Sequence, residues 1–337
     1  MLGVAGPLLA KPGAAQSQTM SIAHYLKEIG RGKDGARSLT RAQAHDLMSL
    51  LLDGQVTDLE TGAFALAMRI KGESVDELKG FTDAARERCI ELRPPRPFVL
   101  LPSYNGARRL PNLTPLLALL LAQEGVPVLV HGPAHDPVRV TTADVFRDLG
   151  LPLARDATEI ETAWARREPA FVRIDALCPP LARLLDVRWV VGLRNSGHTV
   201  AKLLDPCADA PALRVVNHTH PEYAALLGGY VRDTRADAML LRGTEGEPFA
   251  DPRRQPRLDV FLHGQPCAEL SMPAREGVLA ELPVLPRETD ASTTALYIQS
   301  VVSGATPAPA PLLQQVDALC SAIARLAVPQ RPHQQLA

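Results

Sequence analysis

FVLLPSYNGARRLPNLTPLLALLLAQEGVPVLV, residues 98 to 130, decides the fold. It opens on the apolar run Phe98-Val-Leu-Leu101 and closes on Val126-Pro-Val-Leu-Val130, each of a length and composition that suit a buried strand. Between them lie a polar loop and a leucine-rich helical stretch around Leu116 to Ala122. Strand, helix and strand within about thirty residues make a βαβ crossover, the connection that parallel neighbours require. Further strand candidates follow at Trp189-Val-Val191, Leu213-Arg-Val-Val216, Ala238-Met-Leu-Leu241 and Leu258-Asp-Val-Phe261. The Pro/Ala-rich stretch Ala305 to Pro311 interrupts this pattern, and a last helix is predicted from about Leu312 to Leu326. Residues 97–330 therefore read as an α/β domain with a mainly parallel central sheet.

Upstream, apolar residues recur at intervals of three and four: Ile22, Tyr25, Leu26 and Ile29, then Leu47, Leu50 and Leu51, then Phe64, Leu66 and Met68. That spacing predicts a small helical unit over 20–92, to which helices near 165–187 are expected to be joined. Ser38-Leu-Thr40 and Thr57-Asp58 are N-cap material, and Gly54 and Gly72 are natural stops. Arg93-Pro-Pro-Arg-Pro97 then ends any helix. Residues 1–19 carry a short apolar run with no basic region before it, and read as a disordered leader ahead of Met20.

The 337 residues are 46% hydrophobic and 22% charged, the composition of a packed globular chain. A net charge of −1 and a pI near 6.8 give no global field for polyanions, so any nucleic-acid contact must come from a local basic patch. Five scattered cysteines, none in a C-x-x-C pattern, suit a reducing cytoplasm and argue against a zinc site. No segment approaches the ~18 apolar residues of a membrane helix, so no membrane partner is expected. His218 and His220 lack a third ligand in view, and no metal is assigned to them.

Two segments carry a resemblance. Ala63-Phe-Ala-Leu-Ala-Met-Arg-Ile-Lys-Gly-Glu-Ser74 is one; the other runs from Leu101 through Asn112-Leu-Thr114 and Gly125-Val-Pro-Val-Leu-Val-His-Gly132 to Thr141-Thr-Ala-Asp-Val-Phe-Arg-Asp-Leu-Gly150. In order and spacing they resemble the anthranilate phosphoribosyltransferase family, of glycosyl transferase family 3 fold. The resemblance implies a small all-helical N-terminal domain beside a larger α/β domain of nucleoside phosphorylase or phosphoribosyltransferase type. It also implies a homodimer through the helical domain.

The departures fall on the phosphate site. Where that family has a glycine-rich loop, whose bare backbone N–H groups approach pyrophosphate, this chain has Ser103, Tyr104, Asn105, Gly106 and Ala107. The family's lysine and asparagine around His131-Gly132 are replaced by Val130 and Pro133. Its adjacent acidic pair, which holds magnesium, gives way to Arg242-Gly-Thr-Glu-Gly-Glu-Pro248, where Glu245 and Glu247 are split and read as loop carboxylates. Basic residues appear instead: Arg108, Arg109, Arg139, Arg194 and Lys202, with His198. The cluster Arg253-Arg-Gln-Pro-Arg257 reads most simply as a solubilising turn.

This pattern looks like the YbiB-type subgroup, which the resemblance describes as non-catalytic and binding nucleic acid with little sequence preference. The resulting expectation is a DNA-binding homodimer without cofactor, catalytic residue or metal. Its phosphate contacts are expected at Arg108, Arg109, Arg139, Arg194, His198 and Lys202, with Tyr104 the ring best placed for stacking. The alternative is a glycosyl- or phosphoribosyltransferase on an unidentified acceptor, which alone would call for magnesium and phosphoribosyl pyrophosphate.

Overall fold

The computed structural model describes residues 21–328 other than 33, 95 and 208–210, so the leader expected at 1–19 lies outside the described residues. Four helices come first: α1 (Ala23–Ile29), α2 (Arg41–Leu52), α3 (Asp58–Lys71) and α4 (Val75–Arg86). Capping boxes open the last three. Thr40, Thr57 and Ser74 each accept a backbone N–H three residues on, and Gln43, Glu60 and Glu77 return the contact. Gly72 ends α3 at φ 80°, a conformation glycine adopts without steric penalty. Glu77 is fully buried and pairs with Lys71 at 2.7 Å while accepting the Leu39 and Ser74 N–H groups.

The chain then alternates strand and helix: β1 (Phe98–Pro102), α5 (Thr114–Gln123), β2 (Val128–Gly132), α6 (Thr142–Asp148), β3 (Leu153–Ala154), α7 (Ala157–Ala165) and β4 (Ala170–Arg173). Three helices follow, α8 (Ile174–Leu177), α9 (Pro179–Val191) and α10 (Gly197–Leu203), before β5 (Ala212–His218), α11 (Glu222–Asp233) and β6 (Ala238–Arg242). The order closes with β7 (Leu258–Leu262), β8 (Gln265–Pro266), α12 (Ala291–Val302) and α13 (Ala310–Leu326). The sheet runs β3-β4-β2-β1-β5-β6-β7-β8, parallel throughout except where β7 and β8 turn back.

Trp189-Val-Val191, expected as a strand, is the last turn of α9. Leu181, Ala182, Leu184 and Leu185 recur at helical spacing and are buried, whereas Trp189 and Val190 are 50% and 89% exposed. The longer periodicity prevails over the β-branched triplet, and Gly192 in the left-handed region closes the helix.

Alternation along β1 serves two cores. Phe98 and Leu100 join one buried cluster with Leu47, Phe64, Phe81, Leu181 and Val200, while Val99 and Leu101 join another with Leu117, Phe146, Ile298 and Leu319. The first cluster runs unbroken from α2 and α4 through α9 and α10 onto the sheet, so helical unit and sheet share one core. The carboxyl ends of the parallel strands β2, β1, β5 and β6 thereby lie along one edge of the sheet.

Candidate functional site

At those ends three loops interlock. Ser103 N donates to His131 O at 2.8 Å, and Gly132 lies so close that a Cβ there would sit 1.9 Å from Ser103 O. Gly106, at φ 66°, turns its N–H and that of Asn105 toward one point, the place where an anion would sit in a backbone nest.

That place is taken by Glu247. Its Oε1 accepts from Asn105 N at 2.8 Å and Gly106 N at 2.6 Å, and its Oε2 accepts from Thr114 Oγ1 at 3.2 Å and from Ser103 Oγ. The residue is fully buried. Two residues earlier, Glu245 accepts from Arg108 N at 2.9 Å, Arg109 N at 2.7 Å and Leu110 N at 2.9 Å. The protein thus fills its remodelled loop with its own carboxylates. Sequence reasoning missed this role, because the receiving loop lies 142 residues away along the chain. Nothing in the Thr244-Glu-Gly-Glu247 run points to that loop; in the structure Gly246 lies so close to Asn105 that a Cβ would meet its Nδ2 at 1.6 Å.

The family's magnesium does not fit this arrangement. Each oxygen of Glu245 and Glu247 already accepts from an N–H or O–H, a donor set that suits an anion and opposes a cation. Among the described residues no cluster of three or more His, Cys, Asp or Glu side chains is placed to hold a metal.

Arg194, His198 and Lys202 face one cleft of about 250 Å³, together with Glu73, Ser196 and His218. Arg194 precedes α10 and Lys202 lies in its last turn, and the two nonetheless line the same cleft. Their polar ends turn inward. The Arg194 guanidinium donates to Asn105 Oδ1, and Lys202 Nζ donates to Asn217 Oδ1 at 2.8 Å and Gly246 O at 3.3 Å. Burial brings the Lys202 ammonium down to about 8, against an attraction from Glu247. Burial, with Arg188 and Arg139 nearby, brings Arg194 down to about 10. Burial and the neighbouring Arg194 lower His198 to about 3.

Tyr104 is also buried, its hydroxyl 2.6 Å from His131 Nδ1 and its ring edge-on to the imidazole, so it offers no face for a base to stack on. By contrast Arg108 and Arg109 are exposed, and Arg139 is half-buried with its guanidinium donating to Gly106 O at 3.1 Å. The Arg253 to Arg257 cluster does more than solubilise a turn: it lines a second cleft with Arg109 and Arg242.

The two buried histidines make a pH prediction. Burial lowers His131, like His198, from 6.5 to about 3. Between those values the unfolded chain binds a proton at each that the folded chain refuses, so stability falls as pH falls below 6.5, by about 1.4 kcal/mol per pH unit for each histidine. Chemical denaturation between pH 6.5 and 5 checks this. A His131→Gln, His198→Gln variant is expected to show a flatter profile, and an unchanged slope would remove the histidines as its source.

Residues 23–89 match the glycosyl transferase family, helical bundle domain. The chain is 39% identical to the uncharacterized protein YbiB of Escherichia coli K12, over 88% of this chain and 92% of that protein. The chain belongs to the anthranilate phosphoribosyltransferase-like glycosyl transferase family. Within it, the anthranilate phosphoribosyltransferase of Symbiobacterium thermophilum is 30% identical over 66% of this chain and 64% of its own length. The solved anthranilate phosphoribosyltransferase of Thermus thermophilus superposes with a TM-score of 0.64 at 21% identity, covering 90% of this chain and 88% of that one. This last likeness establishes the family's fold: a helical N-terminal domain beside a larger, mainly parallel α/β domain.

Proposed function

We propose that this chain is a non-catalytic member of the family that binds nucleic acid, DNA in the first instance, through the phosphate backbone and with little sequence preference. One observation carries the reading. The N–H groups that would cradle a pyrophosphate are occupied by Glu247 and Glu245, and by holding the backbone of Arg108 and Arg109 Glu245 leaves both side chains in solvent. A filled nest opposes transfer chemistry, and exposed guanidiniums favour backbone phosphates. Of the six cations and donors expected at the strand, Arg108 and Arg109 suit that role as they stand. Arg139, Arg194, His198 and Lys202 serve the loop and the cleft behind it.

A second copy completes the proposal. Leu59, Leu66 and Ile70 of α3 are 83%, 46% and 60% exposed and spaced seven and four apart, forming an apolar stripe on one helix face. All five cysteines are free thiols, in keeping with a cytoplasmic setting.

Fluorescence anisotropy of a labelled single-stranded oligonucleotide, titrated at several salt concentrations, tests the function. Binding that weakens steeply with salt and ignores phosphoribosyl pyrophosphate with magnesium is expected. Arg108→Ala with Arg109→Ala should flatten the log K against log salt plot by about 1.4, two contacts at about 0.7 each. No binding at low salt would reverse the reading. It would favour transfer to an unidentified acceptor, for which the open cleft beside Arg194, His198 and Lys202 is the supporting observation.

A further inference from the structure

A cleft of about 670 Å³ opens beside Arg109 and is lined by Arg242, Arg253, Arg254, Arg257 and Arg275 as well. Two of these six are neutralised within the fold: Arg253 pairs with Asp251 at 3.1 Å and Arg257 with Asp259 at 2.8 Å. Among the described residues, no ion pair or side-chain hydrogen bond engages the guanidiniums of Arg109, Arg242, Arg254 and Arg275. The lining carboxylates are Glu245 and Asp251, and both are committed, the first to backbone N–H groups and the second to Arg253. The cleft therefore carries an uncompensated positive charge in a protein whose net charge is −1.

Its frame is held by main-chain bonds. Arg254 N donates to Asp251 O at 3.2 Å, Arg275 N to Gln255 O at 3.1 Å and Leu279 N to Arg253 O at 2.8 Å, tying the segment after β6 to the segment around Arg275. Arg242 is set by the end of β6, and Arg109 by its N–H on Glu245. Guanidiniums offer forked donors that match phosphate oxygens, and several converging in one concavity suit a ligand carrying more than one phosphate.

We propose that this cleft is an oligophosphate site, occupied by consecutive phosphates of a nucleic-acid strand that passes Arg109. The assignment rests on the nucleic-acid reading above and locates its principal anchor, which that reading leaves open. Free oligophosphates share the chemistry, and the test separates the two sources.

The variant is Arg254→Ala with Arg275→Ala, two exposed side chains without partners whose removal strands no buried group. Anisotropy with a labelled oligothymidylate is expected to show at least a roughly tenfold loss of affinity at low salt, and a salt slope smaller by about 1.4. Arg155→Ala, which removes an exposed arginine paired with Glu159 and outside the cleft, is expected to change neither. If the wild type binds the strand and the double variant binds it equally well, the cleft assignment is overturned while nucleic-acid binding stands. If the wild type does not bind the strand, that reading fails, and titration of inorganic tripolyphosphate decides the cleft. Tripolyphosphate binding that disappears in the double variant assigns the site to free oligophosphate; no binding by the wild type overturns it.

Discussion

Glu247→Ala is expected to lose about 3 to 5 kcal/mol of stability in denaturant titration, because it removes a buried anion and strands the donors gathered round it. Asn105 N, Gly106 N, Ser103 Oγ and Thr114 Oγ1 would each lose the carboxylate oxygen that accepts from them. The vacated nest should then accept an external anion. Inorganic pyrophosphate is expected to raise the melting temperature of this variant and not of the wild type, with a gain near 2.7 kcal/mol at a hundredfold excess over Kd. Glu247→Gln, which keeps an acceptor oxygen but sets an NH₂ among donors, should fall between the two. A loss below about 1 kcal/mol in the alanine variant would show that the carboxylate does not hold the loop.

Gly132→Ala should be as damaging, for a steric reason. Its Cβ would lie 1.9 Å from the Ser103 carbonyl oxygen, closer than any non-bonded pair tolerates. Relief requires β1 and β2 to part at the point where Ser103 N meets His131 O. The expected result is a loss of at least about 3 kcal/mol, read as a lower denaturation midpoint or as failure to accumulate in soluble form. Gly62→Ala is the matched control: nothing lies within 4 Å of its added Cβ, and it sits in a helix, where alanine is favoured by up to about 1 kcal/mol. Equal stability of Gly132→Ala and wild type would refute the close approach.

The architecture was legible because its signals are local. Capping residues, three-and-four spacing and short apolar runs at βαβ intervals are set by near neighbours, and Thr40, Thr57, β1, β2, β5, β6 and β7 stand where those signals put them. Trp189 to Val191 misled because three residues cannot distinguish a strand from the end of an amphipathic helix. The site was legible only in outline. Loss of glycines and of the acidic pair told that the phosphate loop was rebuilt, but not with what. The replacement comes from Glu247, reaching across from β6 to the loop after β1, and no local pattern encodes a contact of that range. For the same reason Lys202 and Arg194 read as phosphate contacts: the sequence records their charge, and only the packing of α10 against the loops turns that charge inward.

The two ends of the sheet order, finally, bear on whether the sheet can be extended from outside. The outermost strands, Leu153–Ala154 and Gln265–Pro266, are two residues long, and Pro266 has no N–H to offer. A strand from another molecule finds no ladder there long enough to extend. The chain is thus guarded against the edge-to-edge stacking that turns open sheets into aggregates.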